Sequence, residues 1–197
     1  MNMWLNRLAP DFNLPALIGS RVSVAGLRGY VVVINFWSAE CAWSRRADVL
    51  LVYRQLTWEA KGVRIVGVAS NVNETESQIR YEIENRHLRY PVVIDYDSRT
   101  ADLYKAEMTP QFFVLDRQGL IRYVGALDDA GAKGREAKGH EAKAREAMQY
   151  YLDRAVTSVL GNATPEPAYT APFGCTIVRQ SSAAGAMTLS ASGGKPP

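Results

Sequence analysis

The sequence predicts an α/β fold, a central mixed β-sheet flanked by helices. Three observations carry this. Residues 30–36 (YVVVINF) form an apolar run rich in β-branched residues and too short for most helices, which reads as a fully buried central strand. Downstream, short apolar segments alternate with segments of helical spacing. Two strand-like segments at 109–116 and 120–125, separated by Arg117-Gln-Gly119, close the pattern as a hairpin.

In order, Asp11–Leu14 and Arg21–Val24 alternate in polarity around Gly19-Ser20 and predict a short N-terminal hairpin. The central strand follows. Ala47–Leu56 then places apolar residues so that they can line one helix face. Val63–Ala69 reads as a second buried strand. Asn73-Glu-Thr-Glu76 supplies an N-cap and an early acidic residue for a helix reaching about Arg86. Pro91–Asp95 is a short strand, and Asp97–Lys105 a short helix capped by Asp97 or Ser98.

Residues 132–160 predict a long helical stretch. Its first half, Lys133–Glu146, repeats Glu-Ala-Lys and Arg-Glu-Ala and reads as a solvated helix laced with ion pairs, weakened by Gly134 and Gly139. Its second half, Met148–Leu160, is amphipathic and should dock on the sheet, with Gly161 to end it. The expected organisation is a domain over 1–161, an extension over 162–180 packing on it, and a disordered tail over 181–197.

Bulk properties set bounds. A chain of 197 residues suits one domain with additions, and 47% hydrophobic content supports a packed core. A net charge of +3 makes no case for nucleic acid or an acidic membrane surface. No apolar run approaches the ~18 residues of a spanning helix, and the first residues lack the pattern of a secretory signal, so the cytoplasm is the expected location. His87 and His140 have no ligand spacing to each other or to the cysteines, so no metal and no cofactor is expected.

The chemistry centres on Cys41. It falls in the turn between the buried strand and the following helix, at or near the helix N-terminus. Unpaired N–H groups and the helix dipole stabilise a thiolate there, and Arg45 and Arg46 add positive charge within a turn. The position predicts a reactive, at least partly exposed thiol. Glu40 acts in the opposite direction, because a nearby carboxylate raises a thiol pKa.

Asn35-Phe-Trp-Ser-Ala-Glu-Cys-Ala-Trp-Ser44 resembles the active-site turn of thioredoxin-like proteins, Asn-Phe-Trp-Ala-x-x-Cys-x-x-Cys. Cys41 falls on the nucleophilic cysteine and Ser44 on the resolving one, so the motif is Cys-x-x-Ser. Ala9-Pro-Asp-Phe-Asn-Leu14, with a Gly-containing turn and Leu27-Arg-Gly29, is similar to the opening of the alkyl hydroperoxide reductase/thiol-specific antioxidant group, the peroxiredoxin-like branch of the fold. A peroxiredoxin site is less well matched. Ser38 stands three before Cys41, but Ile34 occupies the position where that site carries proline.

The resemblance implies a cis-proline at Pro110, facing the nucleophile, with Thr109 presenting backbone to a substrate peptide. It implies Trp37, Glu40 and Trp43 around the site, with Phe36 reading as core. Pro172-Phe-Gly-Cys-Thr-Ile177 looks like a C-terminal Gly-Cys-x-Ile signature, in which Cys175 folds back as the resolving thiol; an unrelated buried cysteine is the alternative. Ser44 is either a hydrogen-bond donor to the Cys41 thiolate or a polar residue of the first helical turn.

The function so implied is thiol-disulfide exchange or peroxide reduction at Cys41, with a disulfide- or peroxide-containing substrate and a thiol reductant as partners. A homodimer is left open. Two other readings stand beside it. One is a redox-inactive binding module holding a peptide near Pro110. The other is a monothiol protein that binds glutathione or an iron–sulfur cluster.

Overall fold

The structure, a computed structural model, describes residues 3–131 and 147–180. The repeat at 133–146 and the tail at 181–197 lie outside the described residues.

Besides a 3-10 turn at Ala25–Leu27, strands and α-helices follow one another among those residues as β1 (Asn13–Leu14), β2 (Val22–Ser23), β3 (Val31–Trp37), α1 (Ala42–Ala60), β4 (Val63–Ala69), α2 (Glu76–Asn85), β5 (Val92–Ile94), α3 (Arg99–Tyr104), β6 (Met108–Thr109), β7 (Gln111–Leu115), β8 (Ile121–Gly125), α4 (Tyr151–Leu160) and β9 (Cys175–Thr176). The main sheet has the order β5-β4-β3-β7-β8, with β3, β4 and β5 parallel and β7 and β8 antiparallel. The sheet is mixed, and helices cover it. β1 and β2 pair as the N-terminal hairpin.

Strand alternation divides the core into two layers. Val31, Val33 and Trp37 face α1, α2 and α4, against Leu51, Trp58, Ile79, Ile83, Leu152 and Val156. Val32, Ile34 and Phe36 face the N-terminal segment and α3, against Phe12, Ala101 and Tyr104. Every residue of β3 is buried, the polar Asn35 included, in keeping with its otherwise apolar run. Full burial of each such side chain contributes roughly 1.5–3 kcal/mol.

Three local expectations need correction. The apolar residues of α1 do not line one face: its buried positions include Ser44, Asp48 and Gln55, while Val49, Tyr53 and Leu56 are exposed. Asp48 is buried against Arg86, and Gln55 Oε1 accepts the Arg89 N–H at 3.0 Å. These polar side chains therefore displace apolar ones from the inner face.

The second correction concerns α3, whose capping is shared. Asp97 Oδ1 accepts the first N–H, that of Arg99, at 3.3 Å as expected, but the next two, of Thr100 and Ala101, bond at 3.0 Å to the Asp95 carboxylate at the end of β5. Ser98 instead donates to the Ser70 carbonyl at 2.7 Å. The third concerns α4, which begins at Tyr151 rather than Met148. The N–H groups of Met148 and Gln149 bond to Asp129 Oδ1, which holds them out of the helix. Helix α2 starts within the expected segment Asn73–Glu76: the cap is Thr75, in a reciprocal capping box with Gln78, and Glu76 opens the helix.

After α4 the chain returns as an extended tail. Residues 168–170 lie along β8, with Val124 N–H to Ala168 O at 3.0 Å and Thr170 N–H to Val124 O at 3.1 Å. The tail then crosses to β6, where β9 pairs antiparallel.

Candidate active site

The site forms where β3 gives way to α1. Cys41 has extended backbone and caps α1, whose first intrahelical bond is Arg45 N–H to Cys41 O at 3.0 Å. The turn before it is held by side chains from elsewhere. Ser38 Oγ accepts the Cys41 N–H at 3.0 Å and donates to Glu74. The Glu74 carboxylate also accepts the N–H groups of Ala39 at 3.0 Å and Glu40 at 3.3 Å. Loop donors that would otherwise stay unpaired thus converge on one acceptor.

A second support lies beneath the turn. Arg86 Nη1 sits 2.9 Å from Asp48 Oδ2, and the same guanidinium donates to the carbonyls of Ser38 (3.4 Å) and Ala39. Asp48 also accepts from Trp37 Nε1 at 2.9 Å and Tyr90 OH at 3.0 Å. Burial holds the Asp48 carboxyl above its ordinary range, and the surrounding donors pull it part of the way back. Burial, reinforced by the Asp48 charge, pushes the Tyr90 hydroxyl up, so it remains a donor.

Cys41 and Cys175 form a disulfide across 134 positions of sequence, with Cα atoms 6.0 Å apart. Cys175 comes from β9, which pairs Thr109 with Cys175 and Met108 with Thr176. The Thr109–Pro110 peptide is cis, and Cys41 Sγ lies 3.0 Å from the Thr109 carbonyl oxygen. Thr109 Oγ1 donates to the Cys175 carbonyl at 3.4 Å. The Trp43 ring meets Phe173 edge-on at 4.5 Å between centroids.

The structure therefore brings Cys41, Cys175, Trp43, Thr109 and Pro110 together. Other expected site residues lie elsewhere. Trp37 does not wall the site: it is buried in the core, where strand alternation turns its indole toward Asp48. The Glu40 carboxylate accepts from Gln78 Nε2 at 3.2 Å, beside the start of α2. Buried Ser44 accepts the Ser38 N–H at 3.3 Å, the part of a first-turn polar residue. Cys41 is buried, not partly exposed, because the tail covers it in the disulfide form. The expected cations are paired: Arg45 with Glu82 at 3.1 Å and Arg46 with Asp128 at 2.6 Å.

Glu74, Arg86 and Asp48 escaped the sequence reading. They lie 33, 45 and 7 positions beyond Cys41, with no local pattern linking them. The one available signal was an acidic residue in the helix α1 pattern with apolar neighbours on both sides. No group of three or more His, Cys, Asp or Glu side chains among the described residues is placed to hold a metal ion. No helix among them is long and apolar enough to cross a membrane.

The AhpC/TSA family model matches residues 5–124. Thiol-disulfide oxidoreductase ResA of Bacillus subtilis is 27% identical over 113 residues, which are 57% of this chain and 62% of that protein. The chain thus spans about three fifths of that relative's length. An uncharacterized conserved protein from Geobacillus kaustophilus has a similar structure, with a TM-score of 0.79 over 92% of this chain and 96% of that one, at 23% identity. A putative thiol:disulfide interchange protein DsbE from Chlorobium tepidum matches with a TM-score of 0.56 at 26% identity, over 59% of this chain and 81% of that one.

Proposed function

The chain belongs to the AhpC/TSA family and has a thioredoxin-like fold, and on that premise we propose that it is a thiol-dependent oxidoreductase with Cys41 as nucleophile and Cys175 as resolving thiol. The observation that carries this is the Cys41–Cys175 disulfide, formed at a helix N-terminus beside Thr109–Pro110. In a Cys-x-x-Ser turn the local resolver is gone, and the tail brings a distant cysteine to the same sulfur.

The reaction runs in two exchanges. The Cys41 thiolate attacks one sulfur of a substrate disulfide, forms a mixed disulfide and releases the other half as a thiolate. The Cys175 thiolate then attacks Cys41 Sγ, expels the remaining substrate thiolate and closes the intramolecular disulfide. An external thiol reductant reopens it. The names of the matched relatives favour a disulfide substrate. Peroxide would reach the same end state through a Cys41 sulfenic acid that loses water on condensing with Cys175.

The test is intact mass of the reduced protein after a stoichiometric disulfide or peroxide, with free thiols capped. Wild type should lose two hydrogens without dimerising. Cys175→Ser should accumulate an adduct at Cys41, and Cys41→Ser should react with neither oxidant. Two unmodified thiols in wild type under both oxidants would overturn the proposal.

A further inference from the structure

The tail does more than deliver a sulfur. Cys175 and Thr176 pair with β6 as an added antiparallel strand, and the flanking Phe173 and Ile177 each meet a defined surface, while Thr176 and Val178 face outward. Phe173 packs against Trp43 and over Gly131, where a Cβ would collide with the phenyl ring. Between the ring and Arg46, Pro110, Leu127 and Asp128 only about 10 Å³ remains, too little for more than one water, while the ring's other side borders an open cavity beside Tyr151 and Thr170.

Gly174 lies flat on the Thr109–Pro110 peptide. A Cβ there would overlap the Thr109 carbonyl oxygen and stand 3.1 Å from Pro110 N. Ile177 is buried at 3% exposure in the core layer of Phe36 and Tyr104. Its N–H donates to the Glu107 carbonyl at 2.9 Å. Beyond β9, Val178 is tied to the loop after β4: its N–H donates to Asn71 Oδ1 at 2.8 Å, and its carbonyl accepts the Val72 N–H at 3.0 Å. The arrangement is a peptide bound by strand addition, with main-chain bonds for affinity and side-chain pockets for selectivity.

We propose that residues 173–178 are a tethered occupant of a substrate groove, and that the partner this groove takes is an extended polypeptide presenting an aromatic residue two before its cysteine, glycine directly before it, and a β-branched aliphatic residue two after. This rests on the thiol-exchange reading and specifies the substrate. The tail and an incoming peptide compete for one strand position. The groove therefore opens to a partner only when Cys175 is released from Cys41 and β9 lifts. In the complete cycle the incoming peptide forms the mixed disulfide, and the tail then re-enters to expel it.

The test uses the reduced full-length protein with Cys175→Ala. The probe is the nonapeptide Ala-Pro-Phe-Gly-Cys-Thr-Ile-Val-Arg, its cysteine carrying thionitrobenzoate as a mixed disulfide. Attack by Cys41 on the peptide sulfur joins the two chains and releases coloured thionitrobenzoate. In a second protein, Gly174→Val with Cys175→Ala, the added side chain unseats the tail. That protein should join the native peptide about tenfold faster than the tail-seated one does, because a tethered occupant competes at high effective concentration. With the tail unseated, the native peptide should outrun the peptide carrying Gly174→Val by about tenfold or more, and those carrying Phe173→Ala or Ile177→Ala by several-fold.

Phe173→Ala with Cys175→Ala repeats the comparison should Gly174→Val fail to fold. The thionitrobenzoate mixed disulfide of glutathione serves as the small probe. If Cys41 ignores even this probe in every variant, the thiol-exchange reading itself falls. If it takes the small probe but joins all peptides at one rate, or is no faster with the tail unseated, the groove assignment is overturned and the thiol chemistry stands.

Discussion

Replacing Arg86 with methionine removes the charge beneath the active-site turn while keeping a long apolar stem. The Arg86 and Asp48 side chains are 4% and 3% exposed, and their charged atoms lie 2.9 Å apart. Water cannot replace the lost partner. Asp48 would keep Trp37 and Tyr90 as donors but no cation, and the carbonyls of Ser38 and Ala39 would lose theirs. Breaking a buried pair from one side costs about 3–5 kcal/mol. For a chain of this size, about 2–4 °C per kcal/mol, Tm should fall by roughly 6–20 °C.

Urea denaturation of the oxidised protein at pH 7 measures this directly. Asp48→Asn should recover part of the loss when combined with Arg86→Met, since the pair shares one interaction. Arg99→Ala is the internal control. Its partner is Asp97, the two side chains are 84% and 52% exposed, and it should cost less than about 1 kcal/mol. A loss at Arg86→Met no larger than this control, or strict additivity with Asp48→Asn, would refute the assignment of the pair as a buried support.

Three further outcomes are expected. Oxidised wild type should exceed Cys175→Ser in stability by up to about 5 kcal/mol, the loop-closure value for 134 residues of separation, read by denaturation with and without reductant. Asp48 is held above its unfolded value of 3.8, so its protonation favours the fold: that contribution is complete below 3.8 and is lost as pH rises through the folded pKa. Wild type should therefore lose stability relative to Asp48→Asn as pH rises from about 4 toward neutral in parallel urea titrations, and a relative gain would reverse the sign. Glu74→Gln removes a negative charge bonded to the turn that carries Cys41, so the thiol pKa should fall and alkylation of reduced Cys41 at pH 7 should quicken, followed by mass spectrometry.

Much of the fold was legible because its signals are local. Val63–Ala69 is one buried strand in both pattern and structure, since a parallel strand covered on both faces needs a mainly apolar run, here broken only at half-buried Arg64. The start of α2 was legible within Asn73–Glu76 because capping acts over one turn, although the Thr75–Gln78 pairing itself came only from the structure. The nucleophile was legible because a cysteine following a buried strand and opening a helix has only one place to be. Where local rules misled, a distant residue had intervened. Asp48 and Gln55 turned inward in α1 for Arg86 and the Arg89 backbone, and Asp129 withheld Met148 and Gln149 from α4.

By itself, then, the sequence determined the strands of the main sheet and the helices between them, the placement of Cys41 at the head of α1, and the identity of Cys175 as a candidate partner. Tertiary structure alone decided that the two sulfurs meet, that Glu74 and Arg86 hold the turn, and that the tail pairs with β6. The division has a physical cause. Propensity, capping and hydrophobic period act over a few residues, whereas a disulfide across 134 positions and a buried ion pair across 38 exist only once the sheet has brought those segments within bonding distance.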